Sequence, residues 1–162
     1  MIGNASDIMT KKVISAKYND SLKKAIEILA ENKISGLPVV NDDGMVIGMI
    51  TESDIVKFSG KLHVVAAISS SAWLNPYTDV NSKNAVEKGV EVLDTTHVYD
   101  VMKKSVITVN ANDSGMKVIS LIGKKNINRV PVVDENNMLV GIIARSDIIR
   151  YLADQPAINL DK

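Results

Sequence analysis

An internal duplication constrains the fold of this chain more than any other feature of its sequence. Residues 36–54 read GLPVVNDDGMVIGMITESD, and a related stretch, VPVVDENNMLVGIIARSD, occupies residues 130–147. At an offset of 93 residues the alignment has no gap, and it extends from residues 7–60 onto residues 100–153. An ungapped match of that length indicates two copies of one structural unit, repeat 1 (7–60) and repeat 2 (100–153).

Hydrophobic periodicity predicts the element order β-α-β-β-α in both repeats. A helical turn at Asp7-Ile8-Met9 opens repeat 1, and Asn19-Asp20-Ser21 caps a helix with apolar residues at helical spacing. An Asn/Asp turn ending at Gly44 separates the two later strands. The predicted strands are residues 13–14, 37–40, 45–50, 106–109, 130–133 and 139–143. The predicted helices are residues 22–33, a helix starting near 55, one carrying Val118, Ile119 and Ile122, and residues 147–153.

This element order predicts an α/β (α+β) fold. A three-stranded unit with helices on one face cannot bury its core alone, so we expect the two repeats to pack about a pseudo-twofold axis with two related clefts. Residues 61–99 have no counterpart in the repeat and form a connecting segment, part loop and part helix from about residue 81. Trp73 and Tyr77 are expected to pack there. Residues 154–162 form a short tail.

Composition disfavours several classes of function. The 162 residues carry no net charge, whereas nucleic acid binding usually needs a basic face. The chain has no cysteine, and His63 and His97 have no carboxylate at metal-ligand spacing, so no metal site is predicted. The N-terminus lacks a signal pattern, and the longest apolar run, residues 64–68, cannot span a bilayer. We expect a cytoplasmic protein without membrane association.

Polar side chains gather where the last strand of each repeat meets a helix. In repeat 1, Thr51, Ser53 and Asp54 place hydroxyls and a carboxylate beside helix N–H groups, which favour an anion or a sugar phosphate. Taken singly, Asp54 and Asp147 are typical helix N-caps; their recurrence within a repeated motif favours ligand binding, and the two roles are compatible. No histidine base, activated nucleophile or Walker loop lies beside them, so the sequence predicts no catalysis.

Three motifs occur in the same order in both repeats: Asp-h-Met, h-P-V-V and G-h-h-x-x-S-D, where h is an apolar residue. Together they resemble a tandem pair of cystathionine-β-synthase (CBS) domains, often called a Bateman module, over about two thirds of the chain. The resemblance implies the β-α-β-β-α fold, a regulatory rather than catalytic role, and no resident cofactor. It also implies that adenosine-containing ligands such as AMP, ADP, ATP or S-adenosylmethionine bind in clefts between the repeats.

The resemblance assigns residues to two ligand sites. The first comprises Asp147 for the ribose hydroxyls, Ser146 beside it, Arg129 for a phosphate, and Ile142, Ile14 and Ile34 around the base. The second comprises Asp54 for the ribose, Thr51 and Ser53 as hydroxyl donors, and Met49, Ile107 and Ile127 around the base. A carboxylate can accept from two adjacent ribose hydroxyls, and an arginine binds phosphate through its planar guanidinium.

The two sites are not equivalent in sequence. Repeat 2 has Ala144 in place of Thr51 and Arg145 in place of Glu52, and repeat 1 has Gly36 in place of Arg129. Repeat 1 therefore lacks a cation that repeat 2 has, and its motif is locally acidic. We expect the Asp147 site to bind phosphate better, and the Asp54 site to prefer ligands with little negative charge or to stay empty.

Two functional hypotheses follow. The first is a regulatory module that senses an adenosine-containing ligand and acts on a separate effector protein. The alternative is a structural dimerisation module with vestigial clefts. In either case we expect a homodimer formed through helices that carry Ile55, Val56 and Phe58, or Ile148, Ile149 and Tyr151.

Overall fold

The structure, a computed structural model, describes residues 2–61 and 79–155. His63, Trp73, Tyr77 and most of the predicted tail therefore lie outside the described residues. The helices are α1 (Ala5–Ile8), α2 (Leu22–Asn32), α3 (Glu52–Lys61), α4 (Asp79–Thr95), α5 (Val98–Val101), α6 (Gly115–Lys125) and α7 (Arg145–Ala153). The strands are β1 (Ala16–Lys17), β2 (Gly36–Val40), β3 (Val46–Thr51), β4 (Val109–Asn110), β5 (Arg129–Val133) and β6 (Leu139–Ala144).

Each repeat forms a three-stranded sheet, with the strand orders β1-β2-β3 and β4-β5-β6. The first two strands of each sheet are parallel, with Ala16 opposite Val39 in repeat 1 and Val109 opposite Val132 in repeat 2. Strands β5 and β6 are antiparallel, and their register places Arg129 opposite Ala144. With α2 and α3, or α6 and α7, each repeat follows the predicted order β-α-β-β-α.

The first strand of each repeat begins later than predicted. Residues 13–14 are not a strand, because β1 is Ala16–Lys17, and the predicted strand at 106–109 shortens to Val109–Asn110. Only two residues of each segment pair with the neighbouring strand. The Val13 N–H instead donates to Lys11 O within a turn. The apolar residues at 13–14 and 106–107 therefore precede β1 and β4 and are not part of them.

The predicted cap of α2 and the predicted turn at Gly44 are confirmed. The Ser21 side chain caps α2 by accepting from the Lys24 N–H at 3.2 Å, and left-handed backbone at Lys33 and Asn126 ends α2 and α6. In the turn after β2, Gly44 has a φ of 83°, which favours glycine. Helix α4 begins at Asp79, two residues before its predicted start near residue 81, and packs against α2.

The chain divides into two compact units whose membership differs from that of the repeats. The unit that holds most of repeat 1 comprises Ser15–Val40 and Ile47–Ser105, and we call it the first unit. The second unit holds most of repeat 2 and comprises Met1–Ile14, Asn41–Val46 and Val106–Lys162. We call residues 5–14 and 98–105 the opening segments of repeat 1 and repeat 2. Each opening segment belongs to the unit that is built mainly from the other repeat.

Each unit has its own hydrophobic core. In the first unit, the sheet residues Leu37, Val39 and Ile50 pack with residues of α2. The same core includes Val98 of α5 and Met102, which directly follows α5. In the second unit, the sheet residues and those of α6 pack with Ala5 and Ile8 of α1. Helix α1 contacts α6, α7 and β6, and α5 contacts α3. The opening segments thus complete the cores that they join.

Candidate carboxylate sites

Asp54 and Asp147 are the buried charged side chains among the described residues, with 8% and 6% of their surface exposed. Each is the third residue of its helix, α3 or α7, so the N-cap interpretation places them incorrectly. The Oδ2 atom of Asp54 accepts from the Thr51 N–H at 3.0 Å, and that of Asp147 accepts from the Ala144 N–H at 2.8 Å. One carboxylate oxygen in each repeat therefore fixes the start of the helix.

In the first unit, a hydroxyl and a cation accompany Asp54. The Thr51 hydroxyl donates to Asp54 Oδ2 at 2.6 Å, and Thr51 Oγ1 lies 3.3 Å from the Asp54 N–H. The Lys103 ammonium lies 3.6 Å from Asp54 Oδ1. The two oxygens of Asp54 therefore differ: Oδ2 accepts two hydrogen bonds from Thr51, and Oδ1 faces the lysine.

In the second unit, two side chains donate to the other oxygen of Asp147. The Thr10 hydroxyl lies 3.3 Å from Asp147 Oδ1, and the Arg150 guanidinium donates to the same oxygen at 3.2 Å. Ala144 has no side-chain oxygen, so the cap at α7 lacks the hydroxyl that Thr51 provides at α3. Arg150 is exposed, whereas Asp147 is buried, so the ion pair lies at the rim of the site.

The two sites have similar groups at different positions. At the repeat offset, Thr10 corresponds to Lys103 and Ala144 corresponds to Thr51. The first unit therefore has its hydroxyl on the helix start and its cation on the opening segment. The second unit has its hydroxyl on the opening segment and a cation, Arg150, on the helix.

Close backbone contact brings each opening segment to its carboxylate. Lys103 exchanges two backbone hydrogen bonds with Met49 of β3, at 3.0 Å and 2.8 Å. A Cβ at Gly48 would lie 2.6 Å from Met102 Sδ and 2.8 Å from Lys103 O, so only glycine leaves room for this segment. The group that approaches Gly48 so closely is the start of repeat 2.

The second unit repeats this arrangement. Thr10 exchanges two backbone hydrogen bonds with Ile142 of β6, at 2.9 Å and 3.0 Å. A Cβ at Gly141 would collide with the Met9 side chain. Methionine suits this place because its flexible thioether adapts to an irregular gap.

The other candidate ligand residues differ in exposure and in the unit to which they belong. Ser53 and Ser146 are exposed, Met49 is buried, and Arg129, Ile142, Ile34 and Ile127 are half-buried. Ile14 and Ile107 are exposed hydrophobic residues. All of these ligand contacts stay predictions. Ile34 belongs to the first unit, and Ile107 and Ile127 belong to the second. The β5–β6 register keeps Arg129 beside Ala144, whose N–H binds Asp147.

Comparing the two repeats in sequence did not identify Thr10, Lys103 or Arg150 as site residues. The expectation that the Asp54 site lacks a cation was incomplete, because Lys103 lies next to its carboxylate. Arg145, which we counted as basic charge at the other site, donates to Ile127 O and to Asn126 Oδ1 at the end of α6. The available signal was positional: Thr10 and Lys103 each directly follow an Asp-h-Met motif.

Comparison with known proteins identifies the family. The family model described as "CBS domain" matches residues 5–61 and 98–154, which together make up more than half of the chain. This chain is a CBS-domain protein. Both matched segments include a complete β-α-β-β-α repeat together with its opening segment. The resemblance that the motifs indicated is therefore confirmed, as is the α+β fold of two CBS repeats.

Relatives of this CBS protein include chains of similar length and longer ones. Protein MJ1426 of Methanocaldococcus jannaschii is 35% identical over 90% of this chain and 89% of its own length. Three other proteins of that organism are 29% to 33% identical, and the chain spans only 31% to 46% of their length. CBS repeats of this kind therefore occur both in short chains and within larger proteins.

Two solved structures share the fold of the CBS pair. The CBS domain of a CBS-domain-containing membrane protein from Sphaerobacter thermophilus is 26% identical and has a TM-score of 0.71, covering 93% of this chain and 88% of that one. The CBS domain pair of protein MJ0100 is 28% identical with a TM-score of 0.66, covering 94% and 98%. That structure is a complex with 5′-methylthioadenosine and S-adenosyl-L-methionine.

The described parts of the chain contain neither a membrane-spanning helix nor a cluster of metal ligands. No helix there is both long and apolar enough to cross a membrane. Within the same residues, no three His, Cys, Asp or Glu side chains are grouped so that they could hold a metal ion.

Proposed function

We propose that this CBS protein is a regulatory module that binds an adenosine-containing ligand and acts on a separate effector protein. The observation that carries the proposal is the pair of buried aspartates, Asp54 and Asp147, at the starts of α3 and α7. Burying a carboxylate is costly, and both sites compensate with backbone N–H groups, hydroxyls and cations. Repeating so costly an arrangement in both units favours a functional role over a purely structural one.

The chemistry of the proposed sites suits a nucleoside. One carboxylate oxygen is committed to the helix start, and the other is directed to side chains that a ribose could displace or join. Additional hydroxyl groups come from Ser53, Thr51 and Ser146, and a cationic group comes from Arg129. Apolar surface comes from Ile142 and Met49. The solved MJ0100 pair, with its two adenosyl ligands, supports the same ligand class. AMP, ADP, ATP and S-adenosylmethionine are the candidates, bound as signals rather than as resident cofactors or substrates.

Calorimetric titration with AMP, ADP, ATP, S-adenosylmethionine and NAD tests the proposal. We expect at least one adenosyl ligand to bind and to raise the thermal midpoint, since a ligand at 100 times its Kd stabilises by about 2.7 kcal/mol. Asp147→Ala should weaken binding by on the order of 1–3 kcal/mol, because it removes the ribose acceptor. Absence of heat and of stabilisation across the whole panel would favour the scaffold alternative.

A homodimer is a further part of the proposal, and the exposed apolar surface supports it. Ile55 and Ile148 are buried within their own units, but Val56 and Ile149 are 66% and 68% exposed. Between α2 and α3 lies a groove of about 190 Å³, lined by Ile26, Leu29, Ala30, Glu52, Ile55 and Val56. Apolar surface of this kind is commonly covered in an assembly.

Light scattering tests the dimer. We expect the wild-type protein to be dimeric at micromolar concentration, and Val56→Glu to shift it towards monomer because a charge would enter the apolar contact. Lys57→Glu, which changes the charge of the adjacent exposed residue, is the matched control. A wild-type protein that stays monomeric at high micromolar concentration contradicts this part of the proposal.

A further inference from the structure

Lys103 brings a positive charge to the Asp54 carboxylate, where the repeat 1 motif has none. Its Nζ lies 3.6 Å from Asp54 Oδ1, and its side chain is 63% exposed while that of Asp54 is 8% exposed. An exposed ammonium beside a buried carboxylate is a cation at the entrance of the site. At the corresponding position of repeat 2, Thr10 supplies only a hydroxyl.

The carboxylate oxygen that faces Lys103 is still able to accept hydrogen bonds. Asp54 Oδ2 receives the N–H and the hydroxyl of Thr51. At 3.6 Å the Lys103 contact with Oδ1 is an ion pair longer than a hydrogen bond. Across residues 2–61 and 79–155, no hydrogen bond to Oδ1 accompanies it. A ribose hydroxyl can therefore donate to Oδ1 without first removing another donor.

The backbone of Lys103 is held by hydrogen bonds, whereas its side chain is exposed. Two hydrogen bonds hold its main chain to Met49, and the space left by Gly48 holds the segment close to β3. The flexible four-carbon stem then lets the ammonium turn from Asp54 to a group on the ligand. The adjacent Lys104 is occupied differently, since its ammonium lies 3.8 Å from the centre of the Tyr99 ring.

We propose that Lys103 determines the ligand charge preference of the Asp54 site and selects adenosine derivatives with an anionic 5′ substituent. The inference rests on the proposed function and names the ligand class of one of its sites. The ribose hydroxyls donate to Asp54 Oδ1, and the ammonium pairs with the phosphate. This reverses the preference for uncharged ligands that the sequence comparison predicted for this site.

The test uses the full-length chain with the Asp147 site weakened by Asp147→Ala, or by Asp147→Asn if the alanine variant does not fold. Adenosine and AMP are titrated calorimetrically at low and high salt. Lys103→Thr, which installs the residue found at position 10, should weaken AMP binding by about three- to tenfold and change adenosine binding less than twofold. It should also reduce the salt dependence of AMP binding. Lys103→Arg should keep the AMP preference.

Lys104→Thr is the matched control, because it removes the same charge from the adjacent residue and leaves Asp54 paired. An equal loss of AMP affinity in both threonine variants, or an equal loss of adenosine and AMP in Lys103→Thr, would overturn the assignment. Binding that vanishes with the Asp147 substitution would also overturn it and leave the proposed function intact. Failure of the wild-type protein to bind AMP would overturn the assignment of Lys103, whereas the proposed function fails only if the whole adenosyl panel does not bind.

Discussion

At the scale of single residues, an aspartate before the first long helix of each repeat organises the chain entering that helix. Asp113 accepts from the Asn110 N–H at 2.9 Å and from the Lys117 ammonium at 2.6 Å. The hydrogen bond from Lys117, followed by that from Asn110, lowers the pKa of Asp113 below its ordinary value. Burial alone would raise the pKa of the equivalent Asp20, but contacts with Lys24 and Lys17 outweigh it and lower the pKa.

These lowered pKa values predict a loss of stability in acid. A carboxylate whose folded pKa lies below its unfolded value of about 3.9 stabilises the fold above that value, and the stabilisation disappears as pH falls towards the folded pKa. Asp113→Asn should therefore lower the free energy of unfolding by about 0.3–1 kcal/mol at pH 7 and by less at pH 3. Urea denaturation at both pH values measures the difference.

Asp43→Asn serves as the control, since Asp43 is exposed in the turn after β2. It should change the free energy of unfolding little at either pH. A cost of Asp113→Asn that is the same at pH 3 and pH 7 would show that the charge of Asp113 is not what stabilises the turn.

At the scale of elements, each unit is stabilised where an opening segment packs against a strand that contains a glycine. Gly48 and Gly141 lie in β3 and β6, where Met102 and Met9 occupy the space of the missing side chain. Gly48→Ala should cost on the order of 1–3 kcal/mol in free energy of unfolding, because the Lys103 carbonyl is backbone and cannot move aside cheaply. Chemical denaturation measures the cost.

Gly60→Ala is the matched control for Gly48→Ala. Gly60 lies within α3, and a Cβ there would meet nothing within 4 Å, so alanine should stabilise the helix by up to about 1 kcal/mol. Opposite signs for the two substitutions are expected. A neutral Gly48→Ala would mean that the opening segment shifts without cost.

Sequence signals predicted most of these elements because their causes are local. Caps such as Ser21, turn residues such as Gly44 and helical spacing of apolar residues all act within a few positions of the chain. The strand at 13–14 was misplaced because pairing with β2 sets the position of β1, and that partner is distant in sequence. Lys103 and Thr10 were missed as site residues for the same reason, since each contacts a motif that the sequence separates from it by tens of residues.

At the scale of the whole molecule, the chain segments that complete each unit come from both repeats. Helix α1 adds Ala5 and Ile8 to the core of the second unit, although repeat 1 begins with that helix. The Ala5 N–H also donates to Asp113 O at 2.8 Å, and Gly3 accepts from the Gly115 N–H at 2.8 Å. These contacts make the first residues of the chain part of the fold of its last third.

Removal of residues 1–10 should therefore destabilise the second unit more than the first. We expect amide hydrogen exchange to speed up in α6, β5 and β6, because Ile8 leaves the core and Thr10 no longer pairs with Ile142. Protection in α2 and β2 should change much less. Faster exchange confined to α2 and β2 would contradict the assignment of the opening segments to the two units.

The exchanged opening segments also set an order of events during synthesis on the ribosome. The first unit has all its parts once residue 105 has emerged, and it can close at that point. Residues 1–14, made first, must wait for residues 106–155 before α1 has a core to enter. At about 5–20 residues per second, those 50 residues take roughly 3–10 s to make. During that interval Ile8 and Met9 remain uncovered, so the earliest part of the chain to be translated is among the last to find its place.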